Sequence, residues 1–66
     1  MQKAWYVKTW MPENGKQVTF EQAIVSASTR AEAKAVALNR GMVAAGRRMS
    51  ARFAKEADYA NQWVRR

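Results

Sequence analysis

With 66 residues, twelve Lys/Arg against five Asp/Glu and a formal net charge of +7, the chain has room for one small domain with a modest core. It contains no cysteine and no histidine, which excludes disulfide staples and removes the usual ligands of a tight structural metal site. Self-association, expected as a homodimer, is then the remaining way to reinforce so small a fold. The charge favours an anionic partner: nucleic acid, an acidic or nucleic-acid-loaded protein complex, or anionic lipid.

In chain order, residues 4–11 are dense in aromatic and β-branched side chains (Trp5, Tyr6, Val7, Thr9, Trp10) and read as a strand. Pro12-Glu13-Asn14-Gly15 is a turn signal, because proline interrupts a ladder and Asn-Gly accepts the positive φ of a tight hairpin. Residues 16–27 form the return strand, so a hairpin over 4–27 is expected. If Asn14 and Gly15 are the loop, Glu13 faces Lys16, Lys8 faces Glu21, Tyr6 faces Ala23 and Trp5 faces Ile24. Trp5, Val7, Met11, Val18, Phe20 and Ile24 then share a core face. Tyr6, Lys8, Trp10, Thr19 and Glu21 share the other. The Tyr6/Lys8/Trp10 group is a candidate aromatic contact face for unpaired bases or a partner, with burial under a second helix or subunit as the alternative.

Thr29 and Glu32 have the spacing of a capping box. Beyond them a row of apolar residues recurs at steps of three and four: Ala31, Ala35, Leu38, Met42, Ala45, Met49, Phe53, Ala57, Ala60, closed by Trp63 and Val64. Gly41 and Gly46 interrupt it, which predicts helices over about 29–41 (or 29–45) and 47–64, or one kinked helix. The expected fold class is α+β, an N-terminal β-hairpin packed on one or two C-terminal helices, in a single domain over 1–66. The competing pattern is the alternation of Met49, Ala51 and Phe53 with Ser50 and Arg52, which gives a third strand and a ββαβ order with one main helix. The Ala, Arg, Lys, Glu and Met content favours helix there.

Catalytic chemistry is poorly supplied. Without histidine or cysteine the common base and the best nucleophile are missing, Glu56 and Asp58 diverge on a helix, and the glycines do not form a phosphate-cradling loop. No enzyme, cofactor or metal is expected. The basic residues carry more information. On a helix, Arg48, Arg52, Lys55 and Arg66 fall along one side with Tyr59 and Gln62 between them, and Arg30 and Lys34 continue it. Such a row could track a phosphate backbone, arginine forking onto phosphate oxygens while counterions are released. A solvated face whose long stems cover apolar edges is the alternative. No apolar run approaches the roughly 18 residues that span a bilayer. The start opens directly into strand-like sequence, so a cytoplasmic location is expected.

The segments KAWYVK (3–8) and SASTRAEAKAVA (26–37), with a hairpin between them, resemble small phage-encoded inhibitors. These include type I anti-CRISPR proteins and a phage inhibitor of bacterial RNA polymerase. The resemblance implies a helix with Ala33, Val36 and Ala37 turned toward the sheet, a strand after that helix, and a non-enzymatic protein that blocks a host nucleic-acid machine by protein contact. Two functions follow as expectations: a small basic module binding nucleic acid or a nucleic-acid-loaded complex, and an inhibitor of the phage type. A membrane-surface helix ranks below both, because its apolar face is mostly alanine.

Overall fold

The computed structural model describes residues 2–61, with side chains through Tyr59. Strands β1 (Lys3–Glu13) and β2 (Lys16–Ala27) precede helix α1 (Arg30–Asn39), strand β3 (Arg48–Phe53) and a short 3-10 helix (Glu56–Asn61). The sheet is antiparallel with strand order β2-β1-β3. α1 therefore crosses over β1 on one face. The other face carries only the short 3-10 helix, which is held at its Tyr6 end by the Arg52–Asp58 pair and contacts β2.

The hairpin turns where the sequence places it. Asn14 (φ 51°) and Gly15 (φ 77°) both take positive φ, and Glu13 pairs with Lys16. The expected register holds from there to Trp10↔Thr19 and then slips by one: Thr9 pairs with Glu21, Lys8 with Gln22, Tyr6 with Ile24 and Trp5 with Val25. Phe20 is the extra residue of a β-bulge. The slip turns Glu21 to the helix side, where its carboxylate accepts the Val43 N–H (2.8 Å) and pairs with Arg47 (3.2 Å). The expected Lys8–Glu21 pair does not form. Phe20 is half-exposed beneath the Arg47 guanidinium, 4.4 Å from its ring.

The capping box forms: Thr29 Oγ1 accepts the Glu32 N–H at 3.1 Å, and the Glu32 carboxylate accepts the Ser28 N–H, one residue before the cap. The helix ends earlier than the apolar row suggests. Gly41 adopts φ 101°, its N–H reaches the Leu38 carbonyl (3.0 Å), and the Met42 N–H reaches that of Ala37 (3.1 Å). This left-handed stop seats Met42 in the core. Ala33 and Ala37 face the sheet with Val36 partly buried, whereas Ala31, Ala35 and Leu38 are exposed. The core is thus Trp5, Val7, Ala23, Val25, Ala27, Ala33, Ala37, Met42 and Ala51. The small helix residues allow the backbone to approach the sheet.

The second C-terminal helix expected over 47–64 is absent among the described residues, and the hairpin does not pack on C-terminal helices. Residues 48–53 form β3, as in the ββαβ alternative, with Val7↔Ala51 and Trp5↔Phe53 in register. Pairing with β2 leaves one side of β1 with open backbone donors and acceptors, and β3 satisfies them. That gain outweighs a local helix preference worth tenths of a kcal/mol per residue. A turn closed by the Arg47 N–H on Ala44 O, with Gly46 at φ 72°, directs the chain into this strand. Phe53, expected inside, is half-exposed at the sheet edge, its ring 4.5 Å from that of Trp5. Trp63 and Val64 lie outside the described residues.

Thr9 is fully buried on the helix side, and its hydroxyl has no hydrogen-bond partner among the described residues. Valine has nearly the same shape and no polar atom to desolvate. Thr9→Val is expected to stabilise the fold by about 1 kcal/mol, read as a higher midpoint in urea unfolding at unchanged slope.

Candidate nucleic-acid interface

Even-numbered residues of β1 place their side chains on the face away from α1. Across that face the register sets Trp10 between Thr19 and Arg48, Lys8 between Gln22 and Ser50, and Tyr6 between Ile24 and Arg52. Two groups that looked unrelated in the sequence, the Tyr6/Lys8/Trp10 face and the arginines of residues 48–52, therefore share one surface. They are joined by strand pairing rather than by helical spacing.

Trp10 is half-buried. The Arg48 guanidinium lies 5.4 Å from its ring and the Lys8 ammonium 6.0 Å, so cations border the indole. Lys8 Nζ also donates to Gln17 Oε1 (2.9 Å), which holds the ammonium over β2. Neither Lys8 nor Arg48 has a carboxylate in salt-bridge contact among the described residues. This end of the face carries uncompensated positive charge around an aromatic ring.

The other end is closed. Tyr6 is 9% exposed, its hydroxyl donates to Gln22 Oε1 (2.6 Å), and the Arg52 guanidinium lies 4.4 Å from its ring. Arg52 grips the Asp58 carboxylate through both terminal nitrogens (2.7 and 2.9 Å) and donates to the Phe53 carbonyl (3.1 Å). Asp58 also accepts the Lys55 N–H (2.7 Å), capping the 3-10 helix and tying it to the sheet. Burial raises the Tyr6 phenol, partly offset by Arg52, so it stays neutral at physiological pH. Arg52 and Tyr6 are therefore committed to the fold, and Arg52 is not the free phosphate contact that a helical row implies.

The bond to Arg52 and the Lys55 N–H together hold the Asp58 carboxyl at about 2, below its ordinary 3.8. A depressed carboxylate stabilises the native state above its unfolded pKa and loses that contribution as pH falls through the folded value. The tie is thus complete above about pH 4 and fades toward pH 2. Below about pH 3 the amide resonances of residues 55–59 are expected to shift together, ahead of those in β1. Asp58→Asn should abolish that acid step.

The remaining sequence candidates are dispersed. Arg30 and Lys34 belong to α1, on the opposite side of the sheet, so they do not continue the Arg48 side. Lys55 is exposed just after β3; its backbone N–H bonds Asp58 and its charge also helps lower that carboxyl, so it is engaged with Asp58 rather than aligned with Arg48. Arg66 lies outside the described residues. Gln17 and Gln22, which position Lys8 and Tyr6, were missed: Gln22 faces this surface only after the bulge-shifted register is known, and Gln17, though on this face in either register, shows no partner in the sequence. Asp58 was missed because a helical reading points it away from Arg52.

No protein-family model matches the chain, and no curated protein or solved structure matches it either. Among the described residues no His/Cys/Asp/Glu group could hold a metal ion, and no helix is long and apolar enough to cross a membrane.

Proposed function

We propose that this protein is a non-enzymatic nucleic-acid-binding module that takes a single-stranded segment at the Trp10 end of the sheet face opposite α1. The observation that carries the reading is Trp10, half-buried on that face and bordered by Lys8 and Arg48. An unpaired base stacks on an indole whatever its identity, and the two cations meet the flanking phosphates, releasing counterions. The net charge of +7 draws the strand in from a distance.

Anisotropy of a labelled oligothymidine or oligouridine at low and moderate salt tests this. With two or three phosphates neutralised, log affinity should fall with log salt at a slope of about −1.4 to −2.1. Absence of binding at low salt would remove the reading, and binding indifferent to salt would remove the phosphate contacts.

A second reading, inhibition of a nucleic-acid machine by protein contact, is favoured by one observation on the helix side. Phe20 and Val43 are 48% and 50% exposed around Arg47, which bonds Val43 O. It requires a partner complex that survives nuclease treatment, and loss of all association after nuclease counts against it.

A further inference from the structure

We propose that two copies of this chain pair through the outer edge of β2, in antiparallel register about a two-fold axis at Ile24. The edge follows from the hydrogen-bond pattern. The Ala54 N–H donates to Ala4 O, so even-numbered β1 residues turn their backbone groups toward β3 and odd-numbered ones toward β2. Trp5 pairs with Val25 and Val7 with Ala23. In β2, then, residues 21, 23, 25 and 27 bond inward, and Gln22, Ile24 and Ser26 present their N–H and C=O groups outward. Among the described residues no strand lies beyond β2.

The other edges of the sheet are guarded. At β3 the outward carbonyl of Phe53 is taken by the Arg52 side chain. On the β3 side of β1, beyond the Trp10↔Arg48 pair, Pro12 lacks the N–H that would recruit another strand. Toward the hairpin tip, β2 is broken by the Phe20 bulge. Residues 22–27 have none of these devices: no proline, no bulge and no charged side chain. In a chain of net charge +7 this uncharged stretch is where a second copy can approach without meeting its own sign.

A second copy also fits the geometry. Outward groups at 22, 24 and 26 are symmetric about Ile24, so Ile24 pairs with its own equivalent and Gln22 with Ser26 of the second copy, each pair exchanging both bonds. The half-buried Ile24 side chains, on the Tyr6 face, meet at the axis. Pairing doubles the three-stranded sheet. It leaves both α1 helices on one side and both Trp10 faces on the other.

Sedimentation equilibrium over a range of concentrations should show a species of twice the 7.5 kDa chain mass. Ile24→Pro removes only an outward N–H, and Ser26→Lys puts a charge at an exposed edge position. Each should weaken association at least tenfold with the far-UV circular dichroism of the parent retained. If Ile24→Pro fails to fold, Ser26→Lys decides. An isotope-filtered NOE between the α-protons of Ala23 and Val25 of the second copy fixes the register. A chain that stays monomeric throughout, whether or not it accepts an extended peptide at this edge, overturns the proposal. So does a dimer unaffected by a folded edge variant. None of these readouts involves nucleic acid, so they stand or fall apart from the binding function.

Discussion

Replacing Trp10 with alanine is expected to weaken binding of a single-stranded oligonucleotide by about 5- to 150-fold, the range set by a base–aromatic stack worth roughly 1–3 kcal/mol. The fold should survive, because Trp10 lies outside the core formed by Trp5, Val7, Ala23, Val25 and their helix neighbours. Trp10→Phe keeps a π-face and should retain most of the affinity. Arg48→Ala removes a charge instead. Its signature is a loss across all sequences together with a salt slope shallower by about 0.7, one phosphate contact on a single strand. Arg30 and Lys34, on the helix layer, should change affinity far less when neutralised together. If the Trp10 variants bind like the parent while the α1 variants do not, the interface is on the wrong side of the sheet.

The second large effect concerns Ala37. Ala37→Asp is expected to unfold the protein outright, whereas Leu38→Asp one residue later should cost no more than about 1 kcal/mol. Ala37 is fully buried between helix and sheet; Leu38 is 46% exposed. An unpaired carboxylate forced into that layer costs several kcal/mol. A 66-residue domain has only about 3–10 kcal/mol of stability to lose. Thermal melts followed by circular dichroism discriminate the two directly. The contrast also separates the two helical registers, because the row through Ala31, Ala35 and Leu38 assigns the opposite ranking.

The sequence alone carries the local features of this fold well. Asn14-Gly15 specifies the hairpin, and Thr29 with Glu32 specifies the helix start, because each depends on chemistry within a few residues. What it does not carry are choices made by distant partners. The Phe20 bulge shifts half the hairpin by one residue, and nothing around Phe20 announces it. Residues 48–53 have a helical composition yet are claimed by the open side of β1. The Met49/Ala51/Phe53 alternation was the legible sign of that strand. Reading the apolar row across Gly41 as one stripe hid it, since a glycine at φ 101° ends the helix there. The candidate interface inherits both errors. Its aromatic and cationic members are all legible in the sequence, but helical spacing ties Arg48 to Lys55 and Arg30 instead of to Trp10, its partner by strand pairing. Arg52 reads as a free cation until Asp58 is placed against it.

The decisive question is which surface of the sheet meets the ligand. Titrating isotope-labelled protein with a short oligothymidine, and following backbone amides together with the tryptophan indole resonances, addresses this in one experiment. Binding across the Trp10 face requires the largest shifts at Lys8, Trp10, Thr19 and Arg48, including the Trp10 indole, with the amides of α1 nearly still. Shifts centred on α1 and the loop around Val43, with the Trp10 indole unmoved, would contradict it.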